Sequence, residues 1–175
     1  MTATDTRRLA TAGANPRWWW WLGVSALVIV ADYATKALVL SAFRPGEQLA
    51  VTGFFSLTLA FNPGAAFSFL AAAEGWQRWL FAAIAVAAAA VIVWLLRRGG
   101  SALFCAGLAL ILGGALGNLW DRLTIGHVVD FLLFHYAGWA YPAFTVADSA
   151  ITVGAAAVIL DSFRERRRDP GASDA

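Results

Sequence analysis

The chain is 175 residues long, 60% hydrophobic and 14% charged, with a mean hydropathy of +0.65. Soluble domains average about 45–50% apolar and about 25% charged, so a soluble globule and a disordered chain are both excluded, and Cys105, the single cysteine, excludes a disulfide scaffold. The net charge of +2 does not make a nucleic-acid face: nine of the thirteen Lys and Arg residues sit in clusters beside long apolar stretches, at Arg7, Arg8 and Arg17, at Arg97 and Arg98, and at Arg164, Arg166, Arg167 and Arg168.

In chain order, residues 1–17 read as a basic tail. A bilayer-spanning helix needs roughly 20 mainly apolar residues, and the first such stretch covers 18–40. Trp18, Trp19, Trp20 and Trp21 open it beside Arg17, the composition of an aromatic belt at headgroup depth. Its length, its lack of a small-x-small cleavage site and the presence of Asp32 and Lys36 mark it as a retained helix rather than a leader. The segment 41–75 carries Pro45-Gly46, Gly53 and Asn62-Pro63-Gly64 around the alternating run Ser56-Leu57-Thr58-Leu59-Ala60-Phe61, which predicts short strands. Further spans are expected over 76–96, 102–120 and 142–163, followed by a tail over 164–175 that ends in a disordered stretch. Four crossings put both termini on one side. The arginine clusters make that side cytoplasmic, against only Lys36, Arg44, Arg78 and Arg122 opposite.

Ionisable groups near membrane helices are costly and mark functional sites. Here they gather toward the outer side: Asp32, Lys36, Asp121, Arg122, Asp130 and Asp148, with Asn62 and Asn118. Asp32 and Lys36 share a helical face and can pair at the helix end. Asp121 and Arg122 point in different directions, which suits either tying down a neighbouring helix or holding a substrate. Asp130 and Asp148 would lie about 27 Å apart on one helix, but Tyr136, Gly138 and Pro142 intervene, so a helical hairpin is expected to bring them to one depth. Two carboxylates facing each other in a low-dielectric groove share a proton, the arrangement that activates water in aspartic proteases; a proton relay and a structural role remain alternatives. His127 and His135 lack partners at metal-ligand spacing, Gly113-Gly114-Ala115-Leu116-Gly117 matches no phosphate-binding motif and reads as helix packing, and Cys105 reads as an inert core residue.

The series Asp32-Tyr33-Ala34-Thr35-Lys36, Asn62-Pro63-Gly64-Ala65-Ala66-Phe67-Ser68-Phe69, Gly113-Gly114-Ala115-Leu116-Gly117-Asn118-Leu119-Trp120-Asp121-Arg122, Gly126-His127-Val128-Val129-Asp130-Phe131 and Ala143-Phe144-Thr145-Val146-Ala147-Asp148-Ser149 resembles, box by box and in order, the bacterial lipoprotein signal peptidases, or signal peptidase II family. The resemblance implies a membrane-embedded aspartic endopeptidase of the cytoplasmic membrane that cleaves diacylglyceryl-modified prolipoproteins just before the lipid-modified cysteine. It assigns Asp130 and Asp148 as the catalytic pair. Asn62, Gly64, Asn118, Arg122 and Thr145 shape the substrate site, with Asp32, Lys36 and Asp121 in support. It implies four transmembrane helices in an essentially all-α protein, with a small β-cradle on the outer face built from 41–75 and a short helix reaching over the site. The peptidase domain then spans 18–163. No metal or organic cofactor and no nucleic acid is expected; the partners are prolipoprotein substrates and membrane lipid, and the chain is read as a monomer. Thr145 departs from the Asn usual in the family, keeping a hydroxyl but losing the amide's second donor.

Two other classes fit four helices with buried acids. A proton-coupled transporter would place its acid near mid-membrane and need no long outer segment. A structural membrane protein leaves the polar cluster without a purpose.

Overall fold

The computed structural model describes residues 17–64 and 76–168. Four helices in it are long and apolar enough to cross a membrane: α1 (Trp18–Ala42), α2 (Trp76–Arg98), α3 (Ala102–Thr124) and α4 (Val146–Arg168), the last over Val146–Arg164. A four-stranded antiparallel sheet runs in the order β1 (Gln48–Ala50), β2 (Phe55–Asn62), β3 (Val128–Tyr136), β4 (Trp139–Ala140). The expected short helix is not found in 41–64; the rest of its segment, 65–75, lies outside the described residues, as do most of the N-terminal tail and the end of the C-terminal one.

Helix α3 is the central element, packed against the other three. Its Leu108, Leu112 and Cys105 bury with Ile92 and Leu96 of α2 in an apolar cluster. Toward α4 it uses small residues. A Cβ on Gly107 would meet the Gly154 carbonyl oxygen at 2.7 Å, and one on Gly154 would meet the Gly107 carbonyl at 2.5 Å. A Cβ on Gly114 would collide with the carbonyl of Ala147. Within a bilayer, where lipid is as apolar as leucine, such close backbone approach and interhelical hydrogen bonds hold helices together. Ser25 Oγ of α1 donates one of these bonds to the Ala109 carbonyl of α3 at 2.8 Å.

At the end of the bundle that carries Arg97 and Arg98, Ser101 caps α3. Its hydroxyl accepts from the Phe104 N–H at 3.1 Å and donates to Asp161 of α4 at 2.5 Å. The two arginines close α2, favourably placed at the negative end of its dipole. Their guanidinium groups lie over the rings of Trp18 and Trp94, respectively.

The sheet stands on the opposite end. Val39 of α1, Leu59 of β2, and Val129 and Phe131 of β3 form a second buried cluster that joins it to the helices. The register β2–β3 shifts between Leu57 and Ala60, and Ala60 then faces Asp130.

The segment between the third and fourth spans differs from the expected helical hairpin. Helix α3 continues to Thr124, and Gly126, at φ +83°, turns the chain directly into the nine-residue strand β3. Helix α4 begins at Val146 rather than near 142. Half of the sheet therefore comes from residues 128–140, outside the 41–75 segment that was expected to build it. The reason is burial: five of the first six positions of β3 are buried, so its sequence is an apolar run, broken by Asp130, without alternation.

Candidate active site

Asp148 occupies the first turn of α4, three residues after the N-cap Thr145. The two residues form a reciprocal capping box. The Thr145 N–H donates to Asp148 Oδ2 at 2.9 Å, and the Asp148 N–H donates to Thr145 Oγ1 at 3.1 Å. The Thr145 hydroxyl also donates to Asp148 Oδ2 at 2.9 Å, and the Asn118 amide donates to Asp148 Oδ1 at 2.8 Å. The Asp148 carboxylate thus accepts three hydrogen bonds over both oxygens, the pattern of an ionised group.

Asp130 sits on β3 at 4% exposure, and its Oδ1 is buried without a partner. Burial pushes its pKa up to about 7; a hydrogen bond from Asn62 opposes the shift, the nearby charge of Asp148 adds to it, and Lys36 and Arg122 oppose it. Asn62 is held by its own turn, in which its side-chain oxygen accepts from the Gly64 N–H at 2.9 Å. That turn needs glycine: Gly64 has φ +104°, and a Cβ there would lie 2.6 Å from the Phe81 ring.

Arg122 donates through Nη1 to the Asn118 carbonyl at 3.1 Å, and its guanidinium lies over Phe81, 5.1 Å from the ring centroid. Its Nε is buried without a partner. Among the described residues, Arg122 Nε and Asp130 Oδ1 are the two buried side-chain polar atoms left unpaired. An orphaned donor and an orphaned acceptor in one cluster form a place where a polar ligand gains hydrogen bonds that the protein alone does not make.

Behind these groups, Lys36 contacts Asp32 Oδ2 at 2.6 Å and Asp121 Oδ2 at 2.8 Å. It also donates to the Asn118 side-chain oxygen at 3.3 Å. The expected Asp32–Lys36 pair is therefore present, but at 1% and 3% exposure it is interior, not an interfacial adornment of a helix end. Asp121 takes the tethering role: its Oδ2 also accepts from the Val129 N–H of β3 at 3.3 Å. Gly117 leaves room for the Asp32 carboxylate, which a Cβ would approach to 2.9 Å.

All ten residues singled out from the sequence thus fall in one connected region at the sheet end of the bundle. The backbone N–H groups of Val129 and Ala147, and the Phe81 ring, also belong to it; a main-chain donor and a helix phenylalanine carry no signal in sequence. The Ser101–Asp161 pair lies at the other end and takes no part.

The chain as a whole is similar to known membrane proteins. A family model described as signal peptidase (SPase) II matches residues 24–164. The lipoprotein signal peptidase of Ralstonia nicotianae is 58% identical over 149 residues, covering 85% of this chain and 86% of that protein. That of Paraburkholderia phytofirmans is 56% identical over 158 residues, covering 90% and 92%. A solved bacterial membrane enzyme superposes with a TM-score of 0.76 at 25% identity, over 89% of this chain and 93% of that one.

Proposed function

The chain belongs to the signal peptidase II family, and from that premise we propose that it removes signal peptides from diacylglyceryl-modified prolipoproteins, with Asp130 and Asp148 as the reacting pair. It is a multi-pass membrane protease. The observation that carries the residue assignment is the asymmetry of the two carboxyls. Asp148 accepts three hydrogen bonds, whereas buried Asp130 holds its proton up to about pH 7.

The division of labour follows. Ionised Asp148 takes a proton from a water molecule as its oxygen adds to the carbonyl carbon just before the lipid-modified cysteine. Protonated Asp130 gives its proton to the carbonyl oxygen, forming a neutral tetrahedral diol. Collapse breaks the C–N bond. The proton held by Asp148 passes to the leaving cysteine nitrogen, and a diol proton returns to Asp130, so both groups end as they began. The unpaired Arg122 Nε donates to a substrate backbone carbonyl and fixes the peptide's register.

In the orientation we propose, the arginine-bearing end faces the cytoplasm of a bacterial inner membrane and the sheet end faces outward. A lipid-anchored cysteine holds its peptide bond close to the outer surface, and the carboxyl pair belongs at that depth. The test is cleavage of a diacylglyceryl-modified prolipoprotein by purified protein in vesicles, read by mass spectrometry of the released peptide. Wild type cleaves at the cysteine, and Asp130→Asn and Asp148→Asn do not; full processing by either folded variant overturns the assignment.

A further inference from the structure

Lys36 is linked through three separate partners to the elements that bear the two aspartates. Its ammonium contacts Asp32 Oδ2, and the other oxygen of Asp32 accepts from the Ala147 N–H at 2.8 Å, the residue before Asp148. It contacts Asp121 Oδ2, which accepts from the Val129 N–H, the residue before Asp130. It donates to the Asn118 side-chain oxygen, which turns the Asn118 NH2 toward Asp148 Oδ1. An ammonium has three protons and no acceptor, and here each has a partner that in turn grips an element bearing an aspartate. We propose that Lys36 is a positioning residue, a buried yoke that sets the spacing of strand β3 against the first turn of α4 and the amide orientation of Asn118. This rests on the reading of Asp130 and Asp148 as the reacting pair.

The hydrogen-bond pattern distinguishes a yoke from a simple charge cluster. Asp32 uses two different oxygens for its two donors, Lys36 and Ala147 N–H. An amide offers one acceptor, so Asp32→Asn turns an NH2 toward one of two buried donors. Asp121 uses a single oxygen for both Lys36 and Val129 N–H. Asp121→Asn therefore keeps both contacts. Two carboxylates that merely neutralised an ammonium would be equally sensitive to the change.

The experiment measures kcat and KM on a diacylglyceryl-modified prolipoprotein for Asp32→Asn, Asp121→Asn and Lys36→Met, with thermal unfolding of each purified variant. A carboxyl misplaced by about 1 Å costs about 100-fold, so Asp32→Asn loses at least about 100-fold in kcat with KM within about twofold. Asp121→Asn loses no more than about tenfold. Should Asp32→Asn fail to fold, Lys36→Met supplies a second readout. Asp130 is surrounded by Asn62, Asp148, Arg122 and Lys36, and Lys36 lowers its pKa. Its removal moves the alkaline limb of the rate profile to higher pH, which loss of packing alone does not. Equal losses in the two Asn variants, or an alkaline limb that stays in place in Lys36→Met, overturn the yoke. Asp130→Asn run in parallel separates the two levels: if it is active, the reading of the pair fails, and if it is inactive alongside equal Asn losses, only the yoke fails.

Discussion

Thr145 and Asp148 bind each other at both ends: backbone N–H to carboxylate, hydroxyl to carboxylate, and backbone N–H to hydroxyl. One threonine therefore starts helix α4 and aims a carboxylate. Thr145→Val removes the hydroxyl from both tasks. An N-cap is worth about 1 kcal/mol, and the lost bond to a charged acceptor about 1.5–3 kcal/mol, so cleavage falls by at least about tenfold together with the thermal midpoint. Thr145→Asn restores a good N-cap residue and an amide, and is expected to stay within about tenfold of wild type, since Asn ranks with the best caps. Cleavage rates and unfolding midpoints of the two variants check this.

The same threonine shows what sequence could convey. It was read as a departure from a family pattern, while the local Thr145-x-x-Asp148 spacing of a capping box was in plain view. The four spans were legible because an apolar run of that length has one use. Strand β3 was not. Buried on both sides of its first half, it offered no alternation to separate it from helix, and so the Asp130-bearing segment was taken for part of a hairpin. The Asp32–Lys36 pair was visible at helical spacing. The bond from Lys36 to Asn118, 82 residues away, depends on how α1 meets α3 and leaves no trace in spacing.

Asp130 gives the activity and the stability the same dependence on its own charge: both are favoured while the carboxyl is protonated. Its pKa in the folded protein, about 7, lies above the ordinary carboxylate value. The sign follows from proton uptake: the folded state binds the proton more tightly, so its contribution is fully present below about pH 4 and is lost as pH rises through about 7. Cleavage should fall above about pH 7 as the acid is lost. Asp130→Asn should unfold at a higher temperature than wild type at pH 8, with the gap shrinking toward pH 5. Thermal scans at the two pH values read this directly, and a gap that widens toward pH 5 contradicts it.

Close packing of α3 on α4 sets the position of Asp148 as well as the stability of the bundle. A Cβ on Gly114 meets the Ala147 carbonyl, one residue before Asp148, whereas one on Gly23 meets nothing within 4 Å. Gly114→Ala should destabilise by about 1–3 kcal/mol through overpacking and depress cleavage. Gly23→Ala should leave both unchanged or slightly raise stability. Unfolding and cleavage of the two alanine variants form a matched pair.

At the far end, the Ser101–Asp161 clamp is expected to be structural. Ser101→Ala removes the cap of α3 and costs about 1 kcal/mol, and it leaves the Asp161 carboxylate without its hydroxyl donor. The cleavage rate per folded molecule should not change, because no residue of the carboxyl pair or its supports touches this clamp. A fall in kcat at full folding would show coupling along the bundle that the contacts do not contain.

The division between a protonated Asp130 and an ionised Asp148 is the centre of the account, and infrared difference spectroscopy of the purified protein reads it directly. Wild type should show a protonated carboxylic acid band that disappears as pH rises through about 7. The band should be absent in Asp130→Asn. In Asp148→Asn it should persist but titrate at lower pH, because the Asp148 charge raises the pKa of Asp130. A band that survives in Asp130→Asn and vanishes in Asp148→Asn would reverse the two roles and contradict the account.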